Sequence, residues 1–308
     1  MSPSIGIIFI THNAKHHLPY CLPPIISSSL KPRVLVVNSS SNDGTVELAE
    51  RMGAETLVIP RNEFNHGLTR EKARKYLNTD IVVMMTPDAY ATDSEMISML
   101  VSPIIQGKAS FSYARQIPHK GAGFFERFPR EFNYPKLSVL QIRSIDDSHI
   151  YGAKLFFCSD SCAAYLNKAL DDIGGFSETL IAEDYIAAIK LLSSGFKIAY
   201  VSDAVVMHSH RYSLKDEFKR LFDTGYIRGK DKDIEKLTGR TEKSGSKYFK
   251  SFIKESFQTN FFYVPYSILV CITKYLGFRV GYIAVNWPVF LKKALSSSDF
   301  YWISKPQN

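Results

Sequence analysis

The acidic pair Glu183-Asp184 and the histidines of "MHSH", His208 and His210, are the residue types in this chain best suited to chemistry. The pair follows "GGFSETLIA", a Gly-Gly-Phe turn and a short loop, and opens an amphipathic segment. Acidic residues in a first helical turn are common because they favour the positive end of the helix dipole. A carboxylate placed there can also accept the proton of an attacking hydroxyl. Two histidines at i and i+2 point the same way on a strand, and a pair at a strand exit suits a metal. Asp88, near the end of "VVMMTPDAY" (residues 82–90), is their natural partner. An Asp-x-Asp at such a strand end holds a divalent cation with two carboxylates, but here Thr86 takes the first place. A site made of Asp88 with His208 or His210 suits a hard cation, Mg²⁺ or Mn²⁺, whose shell diphosphate oxygens complete.

Weaker signals surround these. In "FNHGLTR", residues 64–70, Asn65, His66 and Gly67 precede a helical pattern, and a glycine at a helix N-terminus permits close approach of a phosphate. Arg70 adds positive charge, although an ordinary loop with a glycine looks the same. Asn38 and Asp43 have side chains that can bond a base or ribose, or equally cap a turn.

The elements that must position these residues follow from apolar patterning. "IGIIFI" (5–10), "RVLVVN" (33–38), "ETLVIP" (55–60) and "DIVVMMT" (80–86) read as buried strands. "TVELAERMG" (45–53) and "GLTREKARKYLN" (67–78) read as helices between them. This alternation is that of a parallel α/β sheet, which binds ligands beyond the carboxyl ends of its strands. The polar segments "THN", "NSSSNDG", "RNEFNHG" and "TPDAY" all fall at such ends. Residues 111–150 look irregular; 155–176 read as a strand and a helix, 182–196 as a helix, and 197–210 as two short strands. Beyond 213 the chain looks helical and basic. In the tail, 261–293, the first apolar run breaks at Lys274, short of the ~20 residues that span a bilayer. Its aromatics interleave with Arg279, Lys292 and Lys293, which suits a helix on a membrane surface, a packed lid or a dimer contact.

Composition adds bounds. The net charge of +8 suits an anionic partner or merely a basic, solvated surface. The four cysteines form neither a CxxC pair nor a zinc pattern, so reduced, buried thiols are expected. The apolar N-terminal run is too short for a signal peptide and reads as a strand.

The order of "FITHN", "VVNSSSNDGT", "RNEFNHGLTR", "TPDA", "ARQIP", "REFNYP", "SDSCAAY", "GGFSETLIAEDYIAAIKLLSSGFKIAYV" and "HSHRYSL" resembles glycosyltransferase family 2. It resembles more narrowly the bacterial rhamnosyltransferases of O-antigen and capsule assembly. The resemblance covers about residues 4–230 and implies a GT-A fold: an α/β, Rossmann-like, mostly parallel sheet flanked by helices. It implies a domain at 1–215, with a nucleotide-sugar half near 1–110 and an acceptor half near 111–215, then a helical region at 216–308. It implies inversion at the anomeric carbon, with Asp184 of the Glu183-Asp184 pair as base and a divalent cation at Thr86-Pro87-Asp88. It places nucleotide contacts at Thr11, Asn38 and Asp43; Asn13, Asn65, His66, Gly67, Arg70 and Asp88 are also expected on the donor side. Arg115, Gln116, Arg130, Asn133, Tyr134 and Asp160 fall on the sugar or acceptor side.

The donor so implied is dTDP-L-rhamnose, with a UDP-sugar as the alternative. The implied acceptor is a glycan linked to polyprenyl diphosphate, met at the inner face of the cytoplasmic membrane. A homo-oligomer is compatible with the tail, and no nucleic acid partner is expected. Four positions depart from the family pattern: Asn38 where Asp is usual, Glu71 where Asn is usual, His12 for Tyr, and Thr86. An inactive, nucleotide-binding scaffold is the alternative that Thr86 and Asn38 motivate. A nucleotidyltransferase ranks last, because "THNAKHH" lacks the glycines of its first loop.

Overall fold

The computed structural model describes residues 2–231 and 242–303; residues 232–241 and 304–308 of the C-terminal region lie outside them. The chain divides into two compact units. The first comprises Met1–Asp147, Phe156–Thr179 and Glu183–Ser209, and the second Ser148–Leu155, Leu180–Ala182 and His210–Asn308.

The first unit is built on one sheet. Its strands are β1 (Ile5–Thr11), β2 (Arg33–Asn38), β3 (Glu55–Val58), β4 (Ile81–Met85), β5 (Tyr90–Ala91), β6 (Phe111–Ile117), β7 (Gln141–Arg143), β8 (Cys162–Leu166) and β9 (Ile198–Met207). The spatial order is β3-β2-β1-β4-β8-β6-β9-β5, with β7 beside β9. The half formed by β3, β2, β1 and β4 is parallel. The other half is mixed: β8 runs antiparallel to both β4 and β6, and β9 is parallel to β6. The apolar runs of β1 and β4 are buried along nearly their whole length, which is why they lack the alternation of a half-exposed strand.

Helices cover the sheet: α1 (Leu18–Ile26), α2 (Thr45–Arg51), α3 (His66–Leu77), α4 (Met96–Ile105), α5 (Phe124–Asn133), α7 (Asn167–Asp172) and α8 (Glu183–Ser193). The short α6 (Ser148–Tyr151) belongs to the second unit. Prolines inside α1 (Pro23, Pro24) and α4 (Pro103) interrupt the helical pattern at the level of sequence.

Two readings of the middle of the chain change. Residues 111–150 are not irregular: they supply the interior strand β6 and helix α5. Residues 198–207 form one strand, whose pairing with β6 slips between Ala114 and Arg115, so the pattern breaks while the strand continues.

Strand directions fix where chemistry can occur. The carboxyl ends of β1, β2, β4, β6 and β9 and the amino end of antiparallel β8 meet at one edge of the sheet. Thr11, Asn38, Asp88, His119, His208 and the Ser159-Asp160 turn before β8 are thereby gathered from six separate stretches of sequence.

In the second unit, α9 (Leu214–Lys230) packs on α11 (Tyr263–Ile283), which also contacts α10 (Glu242–Thr259). Two short helices follow, α12 (Val289–Leu295) and α13 (Asp299–Ile303). Gly225 and Gly229 of α9 face Phe278 and Tyr282 of α11, while Gly277 and Gly281 of α11 face Phe218 and Phe222 of α9. Every one of these glycines lies so close to an opposing carbonyl that a Cβ would collide with it, at 1.9 Å for Gly281. Small residues at spacing four on both helices let the backbones touch.

The reading of the tail as an apolar run cut short at Lys274 also changes. Lys274 turns its ammonium to Glu217, 3.3 Å away, and to Tyr248, on the packed side of α11. The helix is therefore continuous, and Tyr263–Asn286, with mean hydropathy 1.6, is long and apolar enough by length and composition to cross a membrane. Only 22% of that apolar window is buried.

Candidate active site

Asp88 lies in the tight turn after β4, half-buried, and His208 is the first residue after β9, buried. The His208 Nε2 atom stands 3.4 Å from an Asp88 carboxylate oxygen. His210, two residues further on, adds a third candidate ligand, and ligand atoms of Asp88, His208 and His210 lie within 4.8 Å of one another. Burial depresses the His208 pKa, against the raising effect of the Asp88 carboxylate beside it, which favours the neutral form that ligates metal. The set, one carboxylate and imidazoles, fits Mg²⁺ or Mn²⁺ chemically.

The Asp88 turn is braced from the next strand. His119, two residues beyond β6, has its Nε2 3.1 Å from the Asp88 carbonyl oxygen. A carbonyl only accepts, so this nitrogen carries the proton. The His119 ring packs on Tyr90, whose hydroxyl meets His17 Nδ1 at 2.7 Å. Sequence reading passed over His119. Its signal was position: β6 and β9 are parallel with Ile117 opposite Met207, so residues just past both strands must be neighbours. Thr86, where the Asp-x-Asp pattern would begin, has a buried hydroxyl with no hydrogen-bond partner among the described residues.

The second cluster surrounds Asp184 in the first turn of α8. Asp184 Oδ1 accepts from the Tyr185 backbone N–H at 2.7 Å, and Oδ2 from the Asp160 N–H at 3.1 Å. Burial and the neighbouring Glu183 charge push its pKa up to about 6, against those two bonds and Arg70. The two members of the acidic pair thus separate. Glu183 turns inward to Arg70, 2.7 Å away. Burial would raise Glu183, but Arg70 overcomes this and holds it below the usual carboxylate range. Arg70 also pairs with Asp160 at 3.0 Å, and all three side chains are at least nine-tenths buried. One guanidinium thus faces two carboxylates. Burial dominates at Asp160, and Asp184 and Glu183 reinforce it, raising its pKa to about 8 despite Arg70. The Tyr165 hydroxyl donates to Asp160 at 2.5 Å.

One turn of chain joins the clusters. Ser159 Oγ accepts from Gln116 Nε2 at 2.9 Å, and Gln116 Oε1 lies 2.9 Å from His208 Nδ1. The next residue, Asp160, holds Asp184 through its N–H.

Several donor-side expectations change on this geometry. Arg70 is not an open cation for a diphosphate, because it is buried in its ion pairs. Asn65 Oδ1 already accepts from the Gly67 and Leu68 N–H groups, and a Cβ at Gly67 would lie 1.8 Å from the Ser177 carbonyl oxygen. That helix start is capped and packed by the chain itself, with His66 partly buried beside it. Asn38 is fully buried: its Nδ2 donates to Thr11 Oγ1 and Ser41 Oγ, and its Oδ1 accepts from the Ser41 N–H. Asp43 accepts from Thr45 and from the Lys15 N–H, tying the loop before α2 to the one after β1. Thr11 is buried and donates to the Val37 carbonyl, while Asn13 stays exposed with a left-handed backbone, φ 50°.

On the other side, Arg115 donates to the Tyr134 carbonyl and Asn133 to the Pro129 carbonyl, so both secure the end of α5. Tyr134 is buried, which pushes its hydroxyl up to about 12. Arg130 donates to Gln116 Oε1 at 2.5 Å. Glu71 explains its own departure from the family pattern: it accepts from the Phe176 N–H and pairs with Arg74, bracing the Gly-Gly turn that leads to Glu183.

Comparison with known proteins shows the family and the fold. Residues 6–174 match Glycosyl transferase family 2. The chain is 33% identical over 302 residues to O-antigen chain rhamnosyltransferase RfbN of Salmonella typhimurium, covering 97% of this chain and 96% of that one. It is 32% identical to O-antigen chain rhamnosyltransferase WbaN of Salmonella anatum, covering 88% and 86%. Among solved structures it resembles the mannosyltransferase PcManGT of Pyrobaculum calidifontis, in complex with GDP-Man and Mn²⁺, with TM-score 0.64 at 15% identity over 93% of this chain and 88% of that one. It also resembles TarS 1-349 of S. aureus in complex with UDP-GlcNAc, with TM-score 0.56 at 13% identity over 91% of each. These likenesses establish the GT-A fold.

Proposed function

The chain belongs to glycosyl transferase family 2, and on that premise we propose that it is an inverting rhamnosyltransferase of bacterial surface polysaccharide synthesis, using dTDP-L-rhamnose. The observation that carries the mechanism is the division of labour in the acidic pair. Glu183 is neutralised by buried Arg70, while Asp184 is held by two backbone N–H groups with its pKa near 6. A base so tuned is ionised at neutral pH yet able to hold a proton. Asp184 takes the acceptor hydroxyl proton as that oxygen attacks the anomeric carbon, and the nucleoside diphosphate leaves from the opposite face.

Asp88 and His208, with His210, would hold the divalent cation, which when bound offsets negative charge on the departing diphosphate. Mn²⁺ in the PcManGT complex supports this reading. Thr86 and Asn38, which suggested an inactive scaffold, lose that weight: imidazole supplies the second ligand type, and Asn38 serves the loop it sits in. The acceptor is a lipid-linked glycan at the inner face of the cytoplasmic membrane. The bare face of α11 supports this, with Ile272, Tyr275, Leu276 and Ile283 exposed and Phe261 and Phe262 preceding it.

The test is a panel of dTDP- and UDP-sugars with a lipid-linked acceptor, monitored for nucleoside diphosphate release with and without Mn²⁺ or Mg²⁺. Metal-dependent turnover highest with dTDP-L-rhamnose is expected. Faster turnover of a UDP-sugar would replace the donor assignment, and metal-independent turnover would remove the cation from the mechanism.

A further inference from the structure

Arg130, in "REFNYP", is not needed by the chemistry above, yet it ends at the centre of the site. Its Nη1 lies 2.5 Å from Gln116 Oε1. An arginine side chain has five N–H donors and no acceptor. The Gln116 atom facing it must therefore be the carbonyl oxygen, which fixes the amide orientation without reference to any other contact. The opposite atom, Nε2, then donates to Ser159 Oγ at 2.9 Å, consistent with that choice. Gln116 is 1% exposed, so bulk water does not compete for these bonds.

The same Oε1 lies 2.9 Å from His208 Nδ1. An amide oxygen only accepts, so Nδ1 must carry a hydrogen. In a neutral imidazole the other nitrogen then has the lone pair, and that atom, Nε2, faces the Asp88 carboxylate oxygen at 3.4 Å. A lone pair and a carboxylate oxygen in mutual view repel unless a cation lies with them. We infer that Arg130, acting through the Gln116 amide, is a positioning residue that locks His208 in its Nδ1–H tautomer and so presents Nε2 to the divalent cation. The inference rests on the metal-assisted reading of the site and gives two residues expected on the sugar or acceptor side a role behind a metal ligand. Such outer partners of a ligating histidine commonly change metal affinity by about 10–100-fold when removed.

The experiment uses the full-length protein labelled with ¹⁵N-histidine. Long-range ¹H–¹⁵N spectra of the metal-free wild type, with His208 assigned by His208→Gln, give the tautomer directly. Mn²⁺ affinity is measured by electron paramagnetic resonance, with folding followed by circular dichroism. A protonated Nδ1 is expected in the wild type. Gln116→Leu and Arg130→Met are expected to mix the tautomers and weaken Mn²⁺ binding by about 10–100-fold. Gln116→Glu, whose two oxygens both accept, is expected to keep the tautomer and retain affinity. A wild-type His208 protonated on Nε2 overturns the inference, as do folded Gln116→Leu and Arg130→Met proteins with wild-type tautomer and affinity. Unchanged Mn²⁺ binding by His208→Ala would instead sink the metal reading, and the metal-free tautomer measurement keeps the two failures apart.

Discussion

Asp184 and Glu183 are adjacent in sequence and opposite in role, and the difference is measurable. Asp184→Asn removes the base, so kcat/KM should fall by about 10²–10⁴-fold, read by product formation at saturating metal. The wild-type rate should fall below pH about 6, where Asp184 takes up a proton. Stability runs the other way: a carboxylate whose folded pKa is raised stabilises the fold at low pH and loses that contribution as pH rises through about 6. Asp184→Asn should therefore melt no lower than wild type at pH 8. Arg70→Met leaves the ionised Glu183 buried without its counter-charge and removes the partner of Asp160. It should cost about 3–5 kcal/mol, seen as a lower Tm and denaturant midpoint. Sequence identified the acidic pair, Asp88 and the histidines as reactive types. Motif resemblance singled out Asp184 as the base, but the physical cause of its difference from Glu183 is a guanidinium more than a hundred residues earlier, which only the fold brings to Glu183.

At the scale of elements, the site depends on close packing around α3 and the Gly-Gly turn. Gly67 meets the Ser177 carbonyl, and Gly175, at φ 73°, meets the Glu71 carboxylate. Gly67→Ala should separate α3 from the loop that leads to α8, costing about 1–3 kcal/mol by denaturant titration. It should also lower kcat, because Arg70 and Glu183 sit on the two elements moved apart. The glycine was visible in the sequence as a point of close approach, but its partner was not. A phosphate and a backbone carbonyl make the same demand for a missing Cβ, and only the fold distinguishes them. The strands β1, β2 and β4 were legible because each is built on an uninterrupted apolar run. Strand β6 was not, because its interior positions carry Arg115 and Gln116, polar residues satisfied by α5, β9 and the turn before β8.

At the scale of the whole molecule, the two units present different chemistry. The first holds Asp88, Glu183, Asp184 and His208, and the second carries an apolar helical face with Phe262 84% exposed. Replacing Phe261, Phe262, Ile272, Tyr275 and Leu276 with serine should abolish co-flotation with anionic vesicles while sparing transfer to a soluble acceptor analogue. Loss of a dimer instead, by light scattering, would assign that face to a second copy of the chain. What the sequence determined by itself was the class of fold, the family and the inventory of reactive groups, because these follow from local periodicity and from motif order. Tertiary structure alone decided which groups are engaged with one another: Arg70 drawn inward, Asn38 and Asn65 held by their own loops, His208 oriented by Gln116. The physical reason is that hydrogen-bond and charge compensation inside a protein is made between strands and helices distant in sequence, so the role of a polar residue depends on what the fold places opposite it.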